Sequence, residues 1–469
     1  MTKNLRTYIE DMEKSDELIR VAREIDPETQ MGAVAEESTK TVLFTNIKGH
    51  PGWSSCMQIL RNWKQLRVVL GVPEDQVVPE LARRYSRALA NPIKSEHVST
   101  GPVKEIVQTG EDLDVTQIPA HIAQAGASRF ISLGITVMRD PATGAQNHAI
   151  HRMQVKGKKK TGYFIRHPHA HMWKLFQAYE REGKPAPISI FVGHHPLVYL
   201  SAAWSPTWGS DEHDVASTVL GEPLRLVKCE TNDLEVPADA ELVIEGEIVP
   251  GERESEGLFT EWTGTPRGGL GQNMVFNVKA ITRRKDAIYL SPQMTAGMEW
   301  SESPVRLMPL CLAAEVYRKV KEMYAGTVDI KDVFVVPNFS MAIIKMTPIA
   351  PGQARNVLLG ALSTSYLHIK LAVVVNEDID IRNPDDVWWA VSARMDPEKD
   401  VFIIPGCETH PMDASQQVLG QPGTNTYTAL GGKMGMDASI VISDPKFQKL
   451  EKSRAPGWGK YHLADFLGQ

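Results

Sequence analysis

Hydrophobic positions recur with helical spacing at the start of the chain and then change to a strand-like pattern. Leu5–Lys14 carries apolar residues three and four apart, as an amphipathic helix does, whereas Glu17–Ile25 alternates as a strand does. Met57–Leu70 and Pro73–Ala90 again have helical spacing, and Pro73 suits a first helical turn. We therefore predict an N-terminal segment of helices and short strands over residues 1–113.

Short strand-like segments dominate the chain from residue 114 to residue 305. They are β-branched or alternate between apolar and polar residues, with turn residues between them. Examples are FISLGITVMRD, HAIHRMQVKG, AELVIEGEIV and NMVFNVKAITRR. One helix interrupts them, at His171–Glu182. The pattern predicts a central β-rich domain, built as a split barrel.

Apolar strands alternate with helices in the last third of the chain. A helix over residues 306–324 leads into the buried-looking strand IKLAVVVNEDI and into helices at Ala354–Ser365 and Asp385–Met395. Such alternation is typical of a largely parallel sheet. The predicted fold class is therefore mixed, α+β and α/β. A linker helix joins the β-rich domain to a C-terminal α/β domain over residues 325–469, which ends in an oligomerisation tail.

Composition and charge narrow the class of protein. The formal net charge of −6 and the pI of about 6.2 argue against a nucleic-acid binder, which normally carries a basic field. The one dense basic run, Lys156–Lys160, predicts an exposed hairpin turn. No stretch approaches about 18 uninterrupted apolar residues, so we predict no membrane span. The charged N-terminus lacks the apolar core of a signal peptide, and the four widely spaced cysteines favour free thiols in the cytoplasm.

Histidines are concentrated in one part of the chain. Half of the 14 histidines lie between His148 and His195. The sequence HPHAH places His167, His169 and His171 at alternate positions, so on an extended chain the three imidazoles would share a face. Neither an HExxH nor a Cys/His zinc pattern accompanies them. A metal site and a polar loop that caps the following helix are both open interpretations.

An acidic segment, ERESEGLFTEWTG, is a second candidate site. Glu256 and Glu261 lie five residues apart, and a straight strand would point their side chains to opposite faces. A bend at Gly257 would bring both carboxylates together. Paired carboxylates divide acid and base roles, because each raises the pKa of the other. Exposed glutamates on an edge strand are the alternative.

Three further polar or glycine-rich stretches carry less information. WGSDEHD at Trp208–Asp214 offers oxygen ligands, although a solvated turn is the default interpretation. PRGGLGQN at Pro266–Asn273 and LGGKMG at Leu430–Gly435 lack the complete phosphate-loop patterns. We therefore predict simple turns at both glycine-rich stretches.

Six motifs, taken in their order along the chain, resemble the UbiD family of decarboxylases. They are NHAIHRMQ with Asn147 and Arg152; HMWKLFQAYEREGKPAPISIFVG, which starts at His171; SDEHDVASTVLGEP with Glu212; VKCETNDLEVPADAELVIEGEIVPGERESEGLFTEWTG; KLAVVVNEDIDI, which starts at Lys370; and KMGMDAS. Each motif alone is weak, whereas the six in order are specific. Leu258 stands where the family commonly has Pro, and this departure leaves the substrate open.

The resemblance implies a cofactor, prenylated FMN, together with Mn²⁺ and K⁺. It makes Asn147, His171 and Glu212 the protein ligands of Mn²⁺, and it places Lys370 at the cofactor phosphate. One imidazole with two oxygen donors suits such an ion. The resemblance also implies that the cofactor is lined by Ile150, His151, Arg152, Ala170 and His171.

The resemblance also implies a reaction, the reversible non-oxidative decarboxylation of an aromatic, heteroaromatic or α,β-unsaturated carboxylic acid. Cofactor and substrate would form an adduct, CO₂ would leave, and Glu261 would protonate the product. Arg152 would hold Glu256 ionised and orient the substrate carboxylate. The implied partners are a small carboxylic acid, a flavin prenyltransferase that supplies the cofactor, and further copies of the chain in a homodimer or homohexamer.

Two other functions remain open from the sequence. A metal-dependent hydrolase or lyase would use His169 and His171 as ligands and would need no flavin. A non-catalytic protein that binds prenylated FMN would give Arg152, Glu256 and Glu261 no reason to occur together. The segment Thr295–Met308 is expected to line the substrate pocket. There Met298, Trp300 and Met308 favour an apolar ring or a plain core role, and Arg306 is a hypothesis for a second anionic group.

Overall fold

The computed structural model describes residues 2–165, 169–261, 266–267, 271–293, 307–324, 327–421, 424, 427–445, 453, 455–461 and 465–466. Its α-helices are α1 (Leu5–Lys14), α2 (Met31–Glu36), α3 (Trp63–Leu70), α4 (Val77–Ala90), α5 (His171–Arg181), α6 (Pro196–Ala203), α7 (Glu212–Leu220), α8 (Leu307–Met323), α9 (Gln353–Leu362) and α10 (Pro384–Arg394).

The strands follow the same chain order. They are β1 (Leu18–Val21), β2 (Thr41–Phe44), β3 (Ser54–Met57), β4 (Glu96–His97), β5 (Ile106–Thr109), β6 (Phe130–Arg139), β7 (Gln146–Gly157), β8 (Lys160–Tyr163), β9 (Ala186–Val192), β10 (Arg225–Lys228), β11 (Glu235–Pro237), β12 (Leu242–Ser255), β13 (Phe259–Thr260), β14 (Pro266–Arg267), β15 (Gln272–Arg283), β16 (Ile288–Ser291), β17 (Ile330–Val335), β18 (Met341–Met346), β19 (Leu371–Val375), β20 (Val401–Thr409), β21 (Gln417–Leu419) and β22 (Thr428–Ala438).

Six antiparallel strands close into a barrel at the centre of the chain. Their order is β12–β9–β6–β7–β8–β15, and pairing of β12 with β15 closes the ring. The predicted β-rich centre is confirmed, and the hairpin between β7 and β8 lies where the basic run predicted a turn. Closure leaves the six strands without a free edge, so long pairings such as that of β12 with β15 are protected from other chains.

The C-terminal sheet is mixed. Its central strands β18, β19 and β22 run parallel to one another, and β17, β20 and β21 pair antiparallel at its sides. Alternate residues of β18 and β19 are buried on opposite faces, against α8 and α9 on one side and α10 on the other. The predicted parallel pattern therefore holds for the middle of the sheet. Leu430–Gly435 lies within β22, so the turn predicted there is wrong.

The sheets exchange strands across the predicted domain boundaries. The N-terminal sheet has the order β1–β2–β3–β16, so its last strand comes from beyond the barrel. Conversely, two strands of the N-terminal segment pair with strands from further along the chain: β5 pairs with the barrel strand β15, and β4 pairs with β10. One hydrophobic core runs from Leu5 to Met412 through all of these layers. The boundaries at residues 113 and 305 stay predictions.

Two N-terminal helices test the predicted pattern directly. Helix α1 has the predicted bounds, and Asn4 caps it through a reciprocal pair of hydrogen bonds with Thr7. The helix predicted from Met57 begins only at Trp63, because Met57 ends β3 and the Asn62 side chain caps α3.

The four cysteines are free, as predicted. Among the described residues, none of the helices has the length and apolarity needed to cross a membrane.

The barrel closure generates a stability prediction at Gly246, where a β-bulge interrupts the pairing of β12 with β15. A Cβ atom at this position would overlap the backbone oxygen of Asn277. We expect Gly246→Ala to cost about 1–3 kcal/mol of stability through overpacking and to lower the melting temperature. Gly157→Ala is the control, because a Cβ there meets no heavy atom within 4 Å. Equal melting temperatures for the two variants would contradict this view of the barrel.

Candidate active site

A buried ion-pair triad joins β7 to the segment after β12. Arg152 donates from Nε and Nη2 to the two carboxylate oxygens of Glu256, at 2.8 and 2.6 Å, and from Nη1 to Glu261 at 2.6 Å. The side chains of Arg152, Glu256 and Glu261 are only 4%, 2% and 1% exposed. The two-pronged contact with Glu256 fixes the plane of the guanidinium as well as its position.

Two aromatic rings enclose the guanidinium from its faces. The carbon Cζ of Arg152 lies 3.9 Å from the ring centre of Phe164 and 4.4 Å from that of Phe259. Burial would lower the pKa of Arg152, but the charges and hydrogen bonds of Glu261 and Glu256 outweigh burial and raise it. The guanidinium is therefore a permanent charge held between two apolar walls.

A bend at Gly257 brings the two carboxylates together, as the sequence predicted. Strand β12 ends before Glu256, and the Gly257 N–H donates to Gln154 Oε1 at 3.0 Å. A Cβ at position 257 would overlap the Ser128 hydroxyl, so only glycine fits this close approach. The interpretation of these glutamates as exposed edge residues is therefore wrong.

A second polar cluster joins β7, α5 and α7. Asn147 Nδ2 contacts Glu212 Oε1, and the backbone N–H of His148 donates to Glu212 Oε2 at 3.1 Å. His171 Nδ1 lies 4.0 Å from Glu212 Oε1. The structure thus brings together the three residues predicted as metal ligands.

The chain folds this way locally because Glu212 opens a helix. Asp211 caps α7 by accepting from the His213 N–H, and Glu212, His213 and Asp214 are all buried. The solvated turn predicted for Trp208–Asp214 is therefore confirmed at Trp208 and Gly209, which form an exposed turn, and is wrong from Glu212 onward. Every residue of α7 is buried, so the helix has no polar face and no amphipathic pattern by which sequence analysis could find it. The same holds for α6, seven of whose eight residues are buried.

Glu212 carries an unusual charge state. Burial raises the pKa of its carboxyl to about 7, and His171 and Asn147 offset this only in part. Asn147 Oδ1 is buried and has no hydrogen-bond partner within the part of the chain that the structure describes. An unpaired amide oxygen beside a carboxylate that lacks a full counter-charge is the environment that a hard or borderline cation would complete.

Two adjacent cavities lie along β7. The larger, of about 190 Å³, is lined by four of the predicted cofactor residues, Ile150, His151, Arg152 and Ala170, with Ser132, Ala149, Phe164, Ala202, Ala203, Ser205, Phe259, Leu307, Met308 and Phe339. The smaller is lined by Asn147, His171 and Glu212, with Asp140, Ala145, Gln146, Leu175, Trp208, Gly209 and Ser210. At about 3.3 Å per residue, the five steps from Asn147 to Arg152 span roughly 17 Å, which is the separation of the two clusters along the strand.

Asn147 and Arg152 do not share a face of β7, although the consecutive residues Ala149, Ile150, His151 and Arg152 all line the larger cavity. Asn147 and Arg152 lie an odd number of residues apart, so their side chains leave opposite faces of the strand. A β-bulge in β6, between Ile131 and Gly134, lies opposite Arg152. The bulge and the open end of the barrel let one strand serve both cavities.

Lys370 is the predicted site residue that the structure does not bring to the others. It lines a further cavity of about 180 Å³ with His368, His410 and Ser415, and Phe339 lines both this cavity and the larger one above. Its ammonium lies 2.6 Å from Asp413 Oδ2. In this structure the charge of Lys370 is therefore matched by a carboxylate of its own domain.

The histidine cluster separates into different roles. His171 starts α5, whereas His169 Nε2 lies 3.1 Å from Glu408 of β20, and His167 lies outside the described residues. Ala170 caps α5 without a side-chain hydrogen bond, and since residues 167 and 168 lie outside the described residues, capping by this loop stays an open interpretation. Among the described residues no three His, Cys, Asp or Glu side chains form a metal cluster, and a site at Glu212 needs the amide of Asn147.

Several pocket residues were missed from the sequence. Phe164 and Phe259 flank the predicted residues, and their strand positions give a weak signal for an aromatic clamp. Phe339 reaches the pocket only through the packing of the C-terminal domain, which sequence motifs do not encode, whereas Leu307 belongs to the predicted pocket segment Thr295–Met308 and lines the cavity as expected. Of the predicted pocket segment, Met308 lines the cavity; Met298, Trp300 and Arg306 lie outside the described residues.

Comparison with known proteins matches almost the whole chain. Three UbiD family models, described as domains of 3-octaprenyl-4-hydroxybenzoate carboxy-lyase, match residues 9–85 (N-terminal domain), 95–297 (Rift-related domain) and 306–438 (C-terminal domain). The phenolic acid decarboxylase of Bacillus subtilis (strain 168) is 30% identical over 457 residues, which cover 94% of this chain and 93% of that protein.

The solved structures that match the chain include UbiD-class enzymes as well. The UbiD-class enzyme HmfF from Pelotomaculum thermopropionicum, in complex with FMN, superposes with a TM-score of 0.86 and 31% identity, over 99% of this chain and 100% of that one. An evolved dimeric form of HmfF, in complex with prFMN, superposes with a TM-score of 0.84 and 30% identity, over the same shares of both chains.

The raised pKa of Glu212 generates a prediction for the metal-free protein. Because its folded pKa of about 7 exceeds the ordinary value of 4.5, its contribution to stability is present below pH 4.5 and is lost as pH rises through 7. We expect Glu212→Gln to melt a few degrees above wild type at pH 8, and the difference to shrink at pH 5.5. Thermal unfolding with a chelator measures this. A difference that does not change with pH would contradict the assignment.

Proposed function

The chain belongs to the UbiD family and is a carboxy-lyase, and on that premise we propose a specific reaction and site. The reaction is the reversible, non-oxidative decarboxylation of an aromatic, heteroaromatic or α,β-unsaturated carboxylic acid with prenylated FMN. The observation that carries the proposal is the buried triad of Arg152, Glu256 and Glu261, whose arginine lines the larger cavity. Solved relatives that bind FMN and prFMN support the cofactor.

The cluster at the smaller cavity fits the metal that would anchor such a cofactor. Asn147, His171 and Glu212 supply two oxygen donors and one nitrogen donor, a set that suits Mn²⁺ and leaves positions open for a phosphate. Ile150, His151 and Ala170 line the path between the clusters. When bound, prenylated FMN supplies the electron sink for the pair of electrons left by departing CO₂. K⁺ and a phosphate role for Lys370 belong to the same proposal, and Lys370 would exchange Asp413 for the phosphate.

Arg152 has the spare donors needed to hold a substrate. A guanidinium carries five N–H groups, and three of them donate to Glu256 and Glu261. One N–H remains on each terminal nitrogen, so a substrate carboxylate can accept both. Because CO₂ is neutral, this attraction is lost as the carboxylate departs, and the product gas is not retained.

The pair of glutamates shares one proton, and Glu261 is the residue that donates it. With both carboxylates ionised the triad carries a net negative charge, which is unfavourable in a site from which water is excluded. One proton on the pair makes the triad neutral. Glu261, held by a single contact from Arg152, donates it to the carbon that loses CO₂, while Glu256 stays ionised in its two-pronged pair. In the carboxylation direction Glu261 removes the same proton.

The lining of the larger cavity favours a flat apolar acid. Phe164 and Phe259 lie against the guanidinium, and Phe339, Leu307 and Met308 add a further ring and alkyl groups to the cavity lining. These side chains exclude water from the triad, which strengthens its charge interactions. A relative named for phenolic acids supports an aromatic acid as the substrate class.

The other two functions have less support. A metal hydrolase would need His169 beside His171, but His169 points to Glu408 and its side chain is 63% exposed. A protein that only stores the cofactor has no use for a buried guanidinium with spare donors. We further propose a homodimer or homohexamer, supported by the dimeric form of HmfF and by exposed apolar residues on β20 and β22, such as Ile403 and Leu430. A flavin prenyltransferase is the proposed source of the cofactor.

The proton donor is tested with Glu261→Gln. We expect at least about a 100-fold loss of decarboxylation, the range that a general acid contributes, with the cofactor absorbance retained. The measurement is CO₂ release from a panel of aromatic and unsaturated acids by protein co-expressed with a flavin prenyltransferase. Lys159→Gln, on the exposed hairpin between β7 and β8, serves as the control. Normal turnover by Glu261→Gln would exclude this residue as the acid.

The metal site is tested with Glu212→Ala beside His169→Ala. We expect Glu212→Ala to lose metal and flavin together, because the carboxylate joins the other two ligands. His169→Ala should retain both, because His169 contacts Glu408 instead. Elemental analysis and the visible spectrum of the purified proteins give the answer. The opposite result for the two variants would favour the hydrolase with His169 as a ligand.

A further inference from the structure

The loop between α6 and α7 forms one wall of the smaller cavity. Trp208, Gly209 and Ser210 line this cavity together with Asn147, His171 and Glu212. The turn is made possible by Gly209, whose φ of 88° favours glycine. Both ends of the loop are anchored. Trp204 donates to Glu315 at 3.0 Å, and Asp211 caps α7.

Trp208 makes two directed contacts at the mouth of the cavity. Its ring centre lies 4.9 Å from that of His171, with the ring planes at 81°, which is the edge-to-face geometry that aromatic pairs favour. Lys174, one turn further along α5, places its ammonium 5.3 Å from the same indole. The residue remains 45% exposed, so one side of the ring faces the candidate ligand and another faces solvent.

These contacts give Trp208 a place in the metal site. We propose that Trp208 is a positioning residue that orients the His171 imidazole and forms the outer cap of the cavity, so that a bound divalent cation exchanges with solvent only slowly. This inference rests on the proposed function of Asn147, His171 and Glu212 as metal ligands. Groups that orient a metal ligand commonly contribute about 10–100-fold in metal affinity.

The position of the indole provides a direct signal. Mn²⁺ is paramagnetic and quenches the fluorescence of an indole a few ångströms away. Because the Trp208 ring packs on the candidate ligand His171, Mn²⁺ bound there lies within that range. Trp388 offers a matched control, since it is 51% exposed on α10 of the C-terminal domain and does not line the cavity.

The experiment titrates MnCl₂ into the full-length, metal-free protein at pH 8 with FMN present. Free Mn²⁺ is followed by electron paramagnetic resonance and tryptophan emission by fluorescence. We expect saturable binding and quenching in wild type and in Trp388→Ala. Trp208→Ala should bind at least about tenfold more weakly and lose Mn²⁺ faster to EDTA, with an unchanged circular dichroism spectrum. Trp208→Phe should restore most of the affinity while losing most of the quenching.

The outcomes separate this inference from the proposed function. Failure of wild type to bind Mn²⁺, or undiminished binding by Glu212→Ala, overturns the metal site and the cap together. Normal affinity and normal release by Trp208→Ala, in a wild type that does bind, overturns the cap alone. A Trp208→Phe variant as weak as Trp208→Ala would contradict the role assigned to the aromatic ring.

Discussion

The buried charge of Arg152 is the constraint on which the rest of the site depends. A guanidinium that is 4% exposed must be matched by carboxylates, because an unpaired charge in the interior costs far more than any single contact returns. Glu256 and Glu261 supply that match only because the chain bends at Gly257. The barrel, the bend and the aromatic walls together hold three charged groups in a place that water does not reach.

Strand β7 relates this triad to the second cluster. One strand presents Asn147 to one cavity and Arg152 to the other, at a separation fixed by backbone geometry. From Asn147 to His151 the strand is paired with β6, and from Met153 onward it is also paired with β8, so the separation is set by the backbone and does not vary with side-chain motion. The helices α5 and α7 contribute His171 and Glu212 to the cluster around Asn147, each as the first residue of its helix.

Much of this arrangement could be predicted from the sequence. Alternating polarity identified most barrel strands, and helical spacing identified α1 with the correct bounds. The sequence motifs also predict the residues of both clusters, Asn147, His171 and Glu212 in one and Arg152, Glu256 and Glu261 in the other. What failed has physical causes. The wholly buried α7 and the nearly buried α6 show no amphipathic stripe, and the capping of α3 by Asn62 moved its start. The partner of Lys370 is Asp413, which the fold of the C-terminal domain brings to it from a separate part of the sequence, and local patterns do not contain that contact.

The strand exchange between the N-terminal sheet and the rest of the chain has a consequence for how the protein is made. Strand β16 completes a sheet whose other members lie within residues 18–57, yet it is itself formed by residues 288–291. A ribosome that has translated the N-terminal segment has therefore not yet produced the residues needed to finish its sheet. The edge of β3 stays open while more than two hundred further residues, including the whole barrel, are translated. The N-terminal sheet is thus completed only after the whole barrel has been translated, and during that interval the open edge of β3 is available for pairing with other chains.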